Sequence, residues 1–147
     1  MKLKIKKLHK DAIIPKYMTK DASCFDVSAY KDVVIHPYKT TGNIYSVSTG
    51  LVFEIPKGYE INVRARSGLS LKYPNYIVMT GGGSIDSDYR GPVNICIINH
   101  TNKYWVIKKG DRIAQCKINK AEQCEFEEVE ELSKTERGEC GFGSTGK

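Results

Sequence analysis

An all-β fold, a single jelly-roll or β-barrel-like domain, is what the sequence predicts, on three observations. Apolar residues recur at every second position rather than at helical spacing. Turn signals separate these runs at short intervals. The 147 residues, 40% hydrophobic and 27% charged, suit one compact core rather than two. Short strands spaced in this way belong to a sandwich, a jelly roll or a small barrel.

The elements follow in chain order. Leu3, Ile5 and Leu8 alternate with lysines. Val47–Ile55 and Ile61–Ala65 read as strands, as do Pro92–Ile98, Tyr104–Ile107 and Arg112–Ile118, each with period-two or continuous apolar content. Turns are expected at Pro37, Thr41–Asn43, Pro56–Gly58, Gly81–Gly83, Asn102–Lys103 and Lys109–Asp111. One brief helix is expected over Ser67–Lys72. Glu122–Leu132 stays open, because Phe126, Val129 and Leu132 fit a helical face while Cys124 and Phe126 continue a strand. The division expected is a β domain over 1–136 and a flexible lid over 137–147.

Charge and cysteine usage narrow the function classes. The net charge is +6, and residues 121–147 hold eight Glu against three basic residues, leaving +11 on the first 120. A basic body suits a polyanionic partner, either nucleic acid or a nucleotide phosphate group. The five cysteines, at 24, 96, 116, 124 and 140, include no C-x-x-C pair, and the three histidines are scattered. Neither a disulfide framework nor a Cys/His zinc site has its spacing here. The cysteines are expected to be reduced thiols buried as small apolar groups. No apolar run approaches the roughly 20 residues of a membrane span, and MKLKIKKLHK lacks a signal-peptide core. A cytoplasmic protein is expected, or one of the host cytoplasm or nucleus if a virus encodes it.

Five polar, glycine-bearing blocks interrupt the strand-like sequence: Ala22–Ala29, Arg66–Leu69, Gly83–Gly91, Gly110–Gln115 and Arg137–Lys147. Taken singly, most read equally as turns. The third is richer. An acid (Asp86), a hydroxylated aromatic (Tyr89) and a cation (Arg90) follow three glycines that allow close approach to main chain. A carboxylate beside a phenyl face can activate water or hold a sugar hydroxyl. The alternative is a polar hairpin in which Asp86 or Asp88 pairs with Arg90. In the last block, Gly141-Phe-Gly-Ser-Thr-Gly146 combines a stacking face, two hydroxyls and approachable N–H groups, suited to a base and phosphates. A frayed terminus is its alternative.

In content and order the five blocks resemble the five motifs of the homotrimeric deoxyuridine triphosphatases (dUTPases). The match spans about residues 22–146. Its closest parts are Arg66-Ser-Gly, Gly83-x-Ile-Asp86-x-Asp-Tyr89-Arg-Gly91, Gly110-Asp-Arg-Ile-Ala-Gln115 and Arg137-Gly-x-x-Gly-Phe-Gly-Ser-Thr-Gly146. The resemblance implies hydrolysis of dUTP to dUMP and pyrophosphate by water attack on the α-phosphorus, with Mg²⁺ on the triphosphate. That reaction keeps uracil out of DNA and supplies dUMP for thymidylate synthesis.

It also implies roles for residues. Asp86 is the general base and touches the sugar 3′-hydroxyl, and Tyr89 excludes a 2′-hydroxyl. Main-chain groups of Gly83, Ser84 and Ile85, with Asn94 on the returning strand, read the uracil edge. Arg66, Ser67, Gly68 and Gln115 bind phosphate, and Asp26 reaches Mg²⁺ through water, with no direct protein ligand. From the tail, Phe142 stacks on uracil while Arg137, Gly143, Ser144 and Thr145 close over the phosphates. The sites are shared within a homotrimer, with no nucleic-acid or membrane partner. Cys24 and Cys140 stand where many members have Gly. Two rivals are a deaminase of dCTP on the same fold, and a basic β-barrel for single-stranded nucleic acid.

Overall fold

The computed structural model describes residues 1–73, 76–78 and 83–141. Its elements run β1 (Lys4–Lys7), β2 (Lys16–Tyr17), β3 (Phe25–Ser28), β4 (Val33–Ile35), α1 (Tyr38–Thr41), β5 (Tyr45–Ser48), β6 (Leu51–Glu54) and β7 (Tyr59–Arg64). Then come α2 (Ser67–Lys72), β8 (Tyr76–Val78), β9 (Ser84–Ile85), β10 (Asn94–Asn99), β11 (Trp105–Ile107) and β12 (Arg112–Lys120). The all-β expectation holds.

Among the described residues the strands form four sheets. The largest has the order β2-β3-β12-β7-β9, a three-stranded sheet has β5-β10-β8, and two pairs are β1-β6 and β11-β4. Every pairing is antiparallel. The core is aliphatic and lies between the sheets: Val27, Ile35, Val47, Leu51, Phe53, Ile61, Ile95, Ile97, Ile107 and Ile113 are all fully buried. They come from β3 through β12, so one cluster unites these strands. Burial of this kind is worth about 1.5–3 kcal/mol for each large apolar side chain.

Polar groups inside this core are satisfied. Buried Asn99 donates to the carbonyls of Ile35 (3.0 Å) and Lys103 (2.8 Å) and accepts from the Thr101 N–H (2.9 Å) and hydroxyl (2.7 Å). It thereby fastens the turn between β10 and β11 to β4. Buried Thr49 donates to the Val93 carbonyl at 2.7 Å.

Four expectations need correction. The run Val47–Ile55 is not one strand, because it breaks at Gly50, where φ is +69°. A side chain there would approach the Ala12 Cβ to 2.9 Å, so the chain turns tightly at a residue only Gly suits. Leu8 lies beyond β1 and is exposed. Glu122–Leu132 forms neither helix nor strand; Phe126 is 96% exposed, and among the described residues the last backbone bond to the body is the Ala121 N–H to the Gly58 carbonyl at 2.9 Å. Lastly, all five cysteines are free, but only Cys116 is buried. Burial first, then the neighbouring Cys24 and Asp26, push its thiol up to about 12, so it stays neutral and unreactive.

Candidate active site

The hairpin block builds one wall of a cavity of about 320 Å³. β9 is the edge strand of the large sheet and pairs with β7, Ile61 opposite Ile85 and Asn62 opposite Ser84. The Gly83 carbonyl accepts the Val63 N–H at 2.9 Å, so Gly83 points its main chain toward β7. Alternation along an antiparallel strand then turns the Ser84 N–H and C=O to the other edge. The facing wall is β10. There Val93 bonds β5 and β6, through the Thr49 N–H (3.1 Å) and the Leu51 carbonyl (2.9 Å), and the same alternation turns the Asn94 main chain outward. Ser84 and Asn94 both line the cavity, with Ile85, Asp86 and Tyr89. Main-chain groups of Ser84 and Asn94 therefore both turn toward this cavity.

Asp86 and Tyr89 close its mouth. A turn holds them together, the Tyr89 N–H donating to the Asp86 carbonyl at 3.2 Å. The Tyr89 hydroxyl donates to the Pro92 carbonyl at 3.2 Å. The ring lies over Gly91, where a Cβ would overlap its hydroxyl and Cζ, so this glycine is a seat for the ring. The alternative pairing of Asp86 or Asp88 with Arg90 does not form: Arg90 Nη1 donates to the carbonyls of Ser87 (2.7 Å) and Tyr89 (2.9 Å). Among the described residues Asp86 stands exposed and outside any ion pair.

A second cluster gathers around Asp26 on β3 of the same sheet. Register partners share a face, so Lys16–Asp26, Asp26–Gln115 and Gln115–Arg64 form one polar row across β2, β3, β12 and β7. Asp26, its side chain 14% exposed, accepts from Arg66 Nε (3.1 Å) and Arg112 Nη1 (2.9 Å). Arg66 Nη1 also donates to the Arg112 carbonyl at 3.1 Å, and Gln115 Nε2 donates to the Ala65 carbonyl at 2.7 Å. Ser67 and Gly68 open α2, whose first bonds are the N–H groups of Leu69 and Ser70 to the Arg66 carbonyl. Their own N–H groups precede those bonds and face outward. Two cations, Arg66 and Arg112, hold this carboxylate, and Lys16 and Arg64 stand in the same row. The surface suits a polyphosphate.

Arg66 and Arg112 line a separate cavity of about 410 Å³, which shares no residue with the one between β9 and β10. Arg137 is bonded within its own turn, Nε to the Cys140 carbonyl at 2.9 Å. Phe142, Gly143, Ser144 and Thr145 lie outside the described residues, as do Gly81 and Gly82.

The block reading missed Arg64, Lys16 and Arg112 as members of the cationic face, and Cys96 in the cavity wall. Arg112 had a legible signal. Ile113 and Ala114 are adjacent and both buried, which breaks alternation and marks a bulge.

Comparison with known proteins gives a consistent picture. A family model described as dUTPase matches residues 10–146. The chain is 52% identical over 147 residues to the deoxyuridine 5′-triphosphate nucleotidohydrolase of Nautilia profundicola, covering 100% of both. It is 47% identical over 146 residues to that of Helicobacter hepaticus, covering 99% of this chain and 89% of the other. Among solved structures, the Staphylococcus bacteriophage 80alpha dUTPase G164S mutant with dUpNHpp superposes with a TM-score of 0.88. It is 29% identical, with coverage of 99% of this chain and 98% of that one.

Proposed function

The chain belongs to the dUTPase family and hydrolyses dUTP to dUMP and pyrophosphate, and from that premise we propose how its residues divide the work. The observation that carries the proposal is the pair of strand edges meeting Asp86 and Tyr89 at one cavity. Uracil is flat and presents an acceptor–donor–acceptor edge, which main-chain groups of Ser84 and Asn94, with Gly83 and Ile85, can read as a neighbouring strand would. A base held edge-on by main chain in this way leaves no room for a 5-methyl group. Tyr89, on its Gly91 seat, packs against deoxyribose and excludes a 2′-hydroxyl. Exclusion by contact suits this task, since a methylene in a loose pocket discriminates by only about 1–3 kcal/mol.

Asp86 holds the sugar 3′-hydroxyl and takes a proton from the water that attacks the α-phosphorus. Arg66, Ser67, Gly68 and Gln115 bind the phosphates. Arg137, Gly143, Ser144 and Thr145 close over them while Phe142 stacks on uracil, excluding bulk water and fixing an in-line geometry. Each Asp26 oxygen accepts one guanidinium bond, leaving about two of its four lone-pair positions open to water. That fits an ion held by substrate phosphates and its own waters rather than by a protein cage. Mg²⁺ on the triphosphate supplies neutralisation of phosphate charge.

In one chain the nucleoside cavity and the cationic face are separate. This supports sites shared between subunits, the hairpin from one, the cationic face from a neighbour, the tail from a third, in a closed trimer. The location expected for this metabolism is the cytoplasm, and no helix among the described residues is long and apolar enough to cross a membrane.

The test is pyrophosphate release from dUTP, dTTP, dCTP and UTP in parallel, with and without Mg²⁺. Turnover confined to dUTP and dependent on Mg²⁺ is the expected result; equal turnover of UTP overturns the role given to Tyr89. Gly91→Ala probes the same contact. The added methyl displaces the tip of a half-exposed side chain rather than backbone, so the thermal midpoint holds. Activity on dUTP falls about tenfold, and the preference for dUTP over UTP narrows.

A further inference from the structure

The bulge in β12 decides which way Arg112 faces. Asp26 lies opposite Gln115, and the register shifts between Arg112 and Ala114. In a regular strand Arg112, three residues before Gln115, would project to the opposite face from it. The bulge inserts one residue and reverses that parity, bringing the Arg112 guanidinium onto the Asp26 side at 2.9 Å. Its backbone carbonyl is brought within 3.1 Å of Arg66 Nη1 as well. Arg66 is thus held by two contacts at residue 112, one to the Arg112 side chain through Asp26 and one to the backbone carbonyl, of which only the first depends on the side chain. It spends two of its five N–H donors in this way, leaving three for an anion.

We infer that Arg112 is a positioning residue for the reaction, fixing Asp26 so that the Arg66 guanidinium presents its remaining donors in one orientation. The inference rests on the reading of Arg66 as a phosphate ligand. Asp26 is mostly withdrawn from water, so its two guanidinium partners anchor it from opposite oxygens. Without the Arg112 guanidinium the carboxylate keeps a single partner and turns with it, and Arg66 is left with only the backbone carbonyl of residue 112 as a fixed anchor. A remote positive charge would behave differently, because its value to a triphosphate would not depend on Arg66. Charge alone is also kept by lysine, whereas the planar fork is not.

The experiment measures affinity of the full-length protein for dUpNHpp and dUMP in the parent, Arg112→Ala, Arg112→Lys, Arg66→Ala and the Arg66→Ala/Arg112→Ala double variant. Arg112→Ala weakens dUpNHpp about tenfold, with dUMP within about twofold and the thermal midpoint held, and Arg112→Lys recovers little. The double variant binds no more weakly than Arg66→Ala alone, the signature of two residues acting as a unit. Parent-like affinity in Arg112→Ala, additive losses in the double variant, or full recovery by lysine overturns the inference while leaving Arg66 as a phosphate ligand. Parent-like affinity in Arg66→Ala overturns both.

Discussion

Asp86→Asn lowers dUTP turnover at least about a hundredfold while changing dUTP affinity by less than about tenfold. The amide keeps the shape of the carboxylate and can still meet the sugar hydroxyl, so the nucleoside seats as before. It cannot accept a proton from water. Arg90, in the same turn, is a cation committed to the carbonyls of Ser87 and Tyr89. Steady-state kinetics with a binding measurement on the same preparation separates the two effects. Near-parent turnover eliminates Asp86 as the base.

Removing residues 137–147 abolishes most activity and leaves the body folded, since few apolar groups leave with the segment. Mixing that truncated protein with Asp86→Asn under conditions that exchange subunits restores turnover above the sum of the two parents. Restoration follows if the hairpin and tail of one site come from different chains, because some mixed trimers then hold a site with both intact. The measurement is pyrophosphate release against mixing ratio, with exchange followed independently by mass. Demonstrated exchange without recovery overturns the shared site, as does an active species sedimenting near 16.5 kDa.

How much of this was legible in the sequence depends on which groups do the work. α2 was legible over its observed residues because Arg66-Ser-Gly-Leu carries a local signal. β3 was hidden inside a block read for its polar residues: Phe25, Val27 and Ala29, all buried, alternate with Asp26 and Ser28. The break at Gly50 hid inside an apolar run, because the crowding against Ala12 and Tyr30 is tertiary. Asp86, Tyr89 and Arg66 stood out as side chains with chemistry, and the structure gathers the first two at one cavity. The β12 bulge was written in Ile113-Ala114, yet its effect on Arg112 needs the register of β3 to be read. Cavity walls made of main chain leave no mark in side-chain identity.

That last feature bears on how such a protein ages through evolution. The groups facing each other across the cavity at Ser84 and Asn94 are amides and carbonyls that nearly every amino acid carries. On the proposed reading of the base by backbone, its choice is buffered against ordinary missense change: side chains at these two positions can drift while the pattern of donors and acceptors persists. What erodes it is rarer, an insertion that slips a strand by one residue and reverses which groups face the gap, or a proline that deletes an N–H. Fidelity toward the base is thereby inherited with the fold, and a lineage can diverge widely at its surface without loosening it.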